Sequence, residues 1–171
     1  TYQKGFDRLI KIWAEVHMHR PEWMLDIVGE GEDKDMLENL IKKYNLECVV
    51  HLVPPTLNIE QKYLDSSFLI MTSRYEGFGL VLIEAHSYGL PTLSFNCKCG
   101  PSDIIVDGVN GFLIEDGDLE CMKELIFQLI DNYSLRKLMG EAAKDSSMKY
   151  AEEKVMNEWV KLFEKHKIER T

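Results

Sequence analysis

The 171-residue chain lacks several things, and each absence removes a class of function. No run of about 18 apolar residues occurs, so no segment reads as a membrane-spanning helix. No signal peptide is visible. Basic residues are in the minority, 20 Lys and Arg against 29 Asp and Glu, for a net charge of −9. No basic cluster is dense enough to neutralise a nucleic-acid backbone, so nucleic acid is not an expected partner, and an anionic membrane surface would not attract this chain. Cysteine is sparse: Cys48, Cys97, Cys99 and Cys121. Cys97-x-Cys99 is the only close pair, and without a second pair or spaced histidines it is a poor zinc signature. Free thiols fit a reducing compartment, and a cytoplasmic location is expected. Low-complexity tracts, internal repeats and linkers are absent, so residues 1–171 read as one domain.

What remains is ordinary for a globular α/β domain, with 45% hydrophobic and 29% charged residues. Helical spacing of apolar residues predicts helices over 5–20, 33–44, 58–65, 118–131, 134–147 and 151–167. Short apolar runs predict strands at Met24–Val28, Val49–Val53, Phe68–Thr72, Thr92–Phe95 and Phe112–Ile114. Phe68–Thr72 is continuously apolar, as in a strand buried on both faces of a parallel sheet. Strands alternating with helices imply a helix-covered parallel sheet with right-handed crossovers. On the last helix Ala151, Val155, Trp159, Leu162, Phe163 and His166 form an apolar stripe, expected to be a packing face that in the full protein docks in part on a missing domain. His86 is expected to serve the structure, and His51 to sit in the core or on a sheet edge.

In such sheets ligands bind beyond the C-terminal ends of the strands. Three loops meet that condition: Gly29-Glu-Gly31-Glu, Pro54-Pro55-Thr56, and Ser73–Gly79. The third leads into the most informative stretch, Glu76-Gly-Phe-Gly-Leu-Val-Leu-Ile-Glu84. Its Gly-x-Gly turn frees backbone N–H groups at a helix N-terminus, which makes an anion site. One acid stands at the mouth of that site and another one to two turns into the helix. An anion cradle with two hydroxyl-binding acids suits a ligand carrying both phosphate and sugar.

Ser73-Arg-Tyr-Glu-Gly-Phe-Gly-Leu-Val-Leu-Ile-Glu84-Ala resembles the Glu-x7-Glu signature of the group 1 (family 4) glycosyltransferases, which are retaining enzymes of the two-domain GT-B fold. Lys4-Gly5-Phe6 is similar to that family's Lys-Gly motif, and Ile27-Val-Gly-Glu-Gly31 to its Val-Gly-x-Gly turn. Gly89-Leu-Pro91 and Asp107-Gly-Val-Asn-Gly111 fall where the family carries Gly-x-Pro and Asp-Gly-x-x-Gly. The resemblance implies a single Rossmann-like α/β domain, the donor-binding half of a GT-B fold, excised from a longer protein. It implies a nucleoside-diphosphate-sugar donor, no metal and no other cofactor, and an N-terminal acceptor-binding domain as partner. No Asp-x-Asp metal site is apparent, and the resemblance does not call for one. The implied roles are Glu76 on the donor sugar hydroxyls and Glu84 on the ribose. The amides of Gly77, Phe78, Gly79 and Leu80 would meet phosphate or sugar, and Lys4 the diphosphate. Gly29, Gly31 and Thr56 would approach the nucleotide, Thr56 near the base. Gly100-Pro101 would face the sugar or pyrophosphate, and Asp103 stands where the family more often has Glu. Polysaccharide or cell-envelope assembly, with peripheral association at the inner membrane, is the family-level expectation.

Three other functions compete. A sugar-nucleotide epimerase of related fold would need acid/base residues that the motifs do not supply. A dinucleotide oxidoreductase would carry Gly-x-Gly-x-x-Gly after the first strand, whereas here the pattern comes late and its third glycine position is Leu82. A binding module without activity is the fourth reading, and the excised piece is expected to bind nucleotide without transferring sugar alone.

Overall fold

The structure, a computed structural model, describes residues 1–168. Thirteen named elements follow one another among these residues. They are α1 (Phe6–His19), β1 (Leu25–Val28), α2 (Lys34–Lys43), β2 (Val50–Val53), α3 (Ile59–Leu64), β3 (Leu69–Met71), α4 (Leu80–Ser87), β4 (Thr92–Phe95), α5 (Pro101–Ile104), β5 (Gly111–Ile114), α6 (Leu119–Asp131), α7 (Tyr133–Ser147) and α8 (Glu152–Ile168). The α/β alternation is the one the sequence predicts, and strand limits agree within a residue or two. The single turn α5 was not expected, because four residues are too few to show a period.

Local chemistry explains the elements. In α1, Leu9, Ile10, Ile12, Trp13 and Val16 are buried on one face, Asp7 lies in the first turn, and His17 and His19 lie in the last. The helix stops before Arg20-Pro21, since proline cannot donate the next ladder bond. Asp118 caps α6 by accepting from the Cys121 N–H, and Asn132 caps α7 by accepting from the Leu135 N–H. β4 is buried at all four positions, as a strand flanked on both edges and both faces should be.

Every strand pairing is parallel. The ladder is not continuous, however: β1 pairs with β2, and β3, β4 and β5 form a separate three-stranded sheet. A cleft of about 780 Å³, lined by residues of both β1 and β3, lies between the two. The main core joins the sheets to α1, α2, α6 and α7 through Trp13, Ile27, Leu37, Leu93, Phe95, Met122, Ile126 and Met139.

Val155, Trp159, Leu162 and Phe163 are exposed, Trp159 at 50% and Phe163 at 64%. Within the stripe Trp159 stacks on Phe163 at 5.7 Å. The His166 side chain lies outside the described residues. His51 is exposed on edge strand β2, with Nδ1 3.0 Å from Asp26 Oδ1.

Candidate functional site

The site is assembled at the C-terminal end of β3. The strand runs out through Thr72 and Ser73, both buried at 1% exposure, and the Thr72 hydroxyl reaches the carbonyls of Lys4 and Gly5 at 3.2 and 3.1 Å. Gly5 makes this approach possible. Its φ is +66°, and a Cβ there would stand 2.1 Å from the Thr72 carbonyl oxygen. The Lys-Gly pair is thereby pinned beside the loop that carries the acids.

Arg74 holds the same two segments together. Its guanidinium forks onto the Asp7 carboxylate at 2.9 and 2.8 Å, donates to the Tyr2 carbonyl, and lies 3.9 Å from the Tyr2 ring centroid. The Asp7 carboxyl is held below its ordinary range, chiefly by this hydrogen bonding. The Arg74 N–H also donates to the Gln3 carbonyl.

Lys4 Nζ donates to Glu76 Oε1 at 2.8 Å, and Ser73 Oγ donates to the same oxygen at 2.6 Å. The Glu76 side chain is 8% exposed and that of Lys4 43% exposed, so the cation faces outward from a sheltered acid. The Glu76 N–H donates to the Lys98 carbonyl, and Tyr75 bridges to Lys98, which brings the loop after β4 to the edge of the site.

Gly79 begins α4 with a φ of +86° and no side-chain cap. The N–H groups of Gly77, Phe78, Gly79 and Leu80 have no acceptor among the described residues. Four unpaired donors at the positive end of a helix suit an anion. Phe78 borders this helix end, edge-on to Tyr150 at 6.0 Å.

Glu84 lies in the second turn of α4, exposed, and its Oε2 accepts from the Tyr63 hydroxyl at 2.8 Å. Tyr63 comes from α3, is 7% exposed and stacks on Tyr88 at 5.4 Å. Burial first, and the Glu84 carboxylate second, push its hydroxyl pKa well up, so it remains a donor. Sequence reasoning passed over Tyr63, Ser73 and Arg74. The only signal for them was position, on or next to the loops that leave β2 and β3.

Of the sequence-predicted residues, the structure gathers Lys4, Glu76, Gly77, Phe78, Gly79 and Leu80 at the N-terminal end of α4, with Glu84 in the second turn of the same helix. Gly29 and Gly31 lie beyond β1 on the same edge, Gly31 beside Thr1. Thr56 lies beyond β2 and is exposed, with Oγ1 accepting from the Asn58 N–H. No hydrogen bond among the described residues links Thr56 to either acid. His86 is structural, as expected: it is 1% exposed, with Nε2 2.9 Å from Thr92 Oγ1 and Nδ1 3.5 Å from Ser146 Oγ. Burial, aided by Lys149, lowers its pKa to about 4.

Two Asp-x-Asp strings do occur, Asp33-Lys34-Asp35 and Asp116-Gly117-Asp118, and neither stands in the cradle. Asp33 neighbours the Thr1 amino group at 3.4 Å, Asp116 pairs with Arg8 at 2.6 Å, and Asp118 caps α6. Among the described residues no helix is long and apolar enough to cross a membrane.

Residues 1–146 match the model of the family described as glycosyl transferases group 1. The chain is 43% identical over 159 residues to an amylovoran biosynthesis glycosyltransferase of Erwinia amylovora, covering 93% of this chain and 44% of that protein. It is 35% identical over 161 residues to the poly(ribitol-phosphate) alpha-N-acetylglucosaminyltransferase of Staphylococcus aureus, covering 94% of this chain and 33% of that one. Among solved structures, S. aureus TarM in complex with UDP superposes with a TM-score of 0.89 at 35% identity over 94% of this chain and 33% of that one. Pneumococcal GtfA in complex with UDP and GlcNAc does so with 0.85 at 28% identity over 96% of this chain and 34% of that one. The chain thus spans less than half the length of these relatives, and its α/β architecture is that of one Rossmann-like half of a GT-B fold. With the Lys-Gly segment and the acid pair gathered at one helix end, the chain belongs to the group 1 glycosyltransferase family.

Proposed function

We propose that this domain grips the donor of a retaining glycosyltransferase, a nucleoside-diphosphate sugar, and that the rest of a longer polypeptide supplies the acceptor-binding domain. The observation that carries the reading is the juxtaposition of Lys4, Glu76 and four uncommitted backbone N–H groups at the start of α4. A diphosphate leaving group gains negative charge as the glycosidic bond breaks. Donors already fixed where that charge develops lower the barrier. Lys4 and the α4 amides supply them from the protein, in the role a metal plays elsewhere.

Glu76 serves the sugar. Ser73 and Lys4 occupy its Oε1, which leaves Oε2 to accept hydroxyl groups. Glu84 serves the ribose, as a carboxylate accepting a diol does in dinucleotide folds. Uridine diphosphate is the first donor nucleotide to test, because TarM and GtfA were solved with UDP. Four free cysteines suit a reducing cytoplasm, where such a domain would work in polysaccharide assembly.

A thermal-shift screen of the full-length protein tests the reading, with UDP, other nucleoside diphosphates, their sugars, and NAD. Ligand at about 100 times its Kd should add roughly 2.7 kcal/mol of stability. Stabilisation by NAD and by no diphosphate nucleotide would overturn the proposal.

A further inference from the structure

The Tyr63–Glu84 contact carries a step beyond donor binding, and it rests on the ribose reading of Glu84. Glu84 is exposed, and a glutamate at an exposed helix position ordinarily samples several rotamers. Here one carboxylate oxygen, Oε2, is held at 2.8 Å by a hydroxyl whose ring is buried and stacked on Tyr88. Tyr63 belongs to α3, which follows the Pro54–Thr56 loop, so the contact also ties α3 to the donor helix. We propose that Tyr63 is a positioning residue for nucleoside recognition, fixing Glu84 through Oε2 so that Oε1 is presented to the ribose hydroxyls. Preorganising an acceptor before the ligand arrives removes the ordering cost from binding.

The test is a set of titrations of full-length protein with UDP, 2′-deoxy-UDP and inorganic pyrophosphate. Wild type should prefer UDP over 2′-deoxy-UDP by about tenfold or more, in line with a charge-assisted hydrogen bond. Glu84→Gln should lose that preference. Tyr63→Phe should cut it severalfold while leaving pyrophosphate affinity unchanged. If Glu84→Gln loses the preference and Tyr63→Phe keeps it, the positioning role fails and the ribose assignment survives. If neither variant changes the preference, the ribose assignment itself fails. Equal losses for UDP and pyrophosphate in Tyr63→Phe would make the residue merely structural and overturn the proposal.

Discussion

Lys4 Nζ and Glu76 Oε1 are 2.8 Å apart although 72 positions separate them in the chain. The lysine is half exposed and the glutamate is sheltered, so the pair presents a cation at the mouth of the α4 cradle and keeps the acid in place behind it.

Lys4→Ala and Glu76→Gln should therefore separate in binding. Removing the lysine takes away a charge-assisted bond worth about 1.5–3 kcal/mol, so UDP should bind roughly 10- to 100-fold more weakly. Glu76→Gln should leave UDP affinity within a few-fold and weaken the sugar nucleotide more than UDP. Calorimetric titration of both ligands against both variants reads this directly. Equal losses for UDP and the sugar nucleotide in Glu76→Gln would contradict the sugar assignment.

Gly5→Ala should destabilise the fold by more than about 2 kcal/mol, since it adds strain at φ +66° to a Cβ placed 2.1 Å from the Thr72 carbonyl oxygen. The urea midpoint measures the loss. Gly77→Ala makes a useful companion, because its Cβ would meet nothing within 4 Å. It should shift the midpoint far less.

Stability should fall on mild acidification because of His86. Its folded-state pKa of about 4 lies below the unfolded 6.5, so the unfolded chain takes up a proton that the native state refuses. The contribution is complete above pH 6.5 and is lost as pH drops toward 4, by up to about 3 kcal/mol. Lys149, Thr92 and Ser146 are the polar groups that face it. Melting temperatures of wild type and His86→Gln between pH 7 and 5 should diverge, with the variant showing the flatter profile.

Trp159 should report an open surface on α8. In the 171-residue chain its fluorescence should be readily quenched by acrylamide, and Trp159→Phe should remove the most accessible part of that signal, because Trp13 is buried and Trp23 is partly buried against the core. The same substitution should change stability by no more than about 0.5 kcal/mol. A cost above 2 kcal/mol would mean that the residue packs more firmly than its 50% exposure indicates.

Much of the site was legible in the sequence because its parts are local. The Gly-x-Gly turn and the two acids lie within nine residues, and backbone geometry alone places them around one helix end. Lys4-Gly5 was legible as a motif, but its partner was not, since nothing in residues 4 and 5 states which strand end they meet. Tyr63 was missed for a related reason. A tyrosine in a short amphipathic helix has the same appearance whether it fills the core or holds an acid. The Asp-x-Asp strings erred in the other direction: they are present in the chain, yet tertiary structure commits Asp33, Asp116 and Asp118 to other contacts.

By itself the sequence determined the alternation of strands and helices, the parallel direction of the pairings, and the acid–Gly-x-Gly–acid order at a strand-to-helix junction. These follow from apolar periodicity and glycine geometry over a few residues. Only the tertiary structure decided that Lys4 meets Glu76, that Tyr63 holds Glu84, that β1 and β3 stand apart, and that the α8 stripe stays exposed. Those relationships depend on which distant elements become neighbours, a property of chain topology that no local pattern of residues encodes.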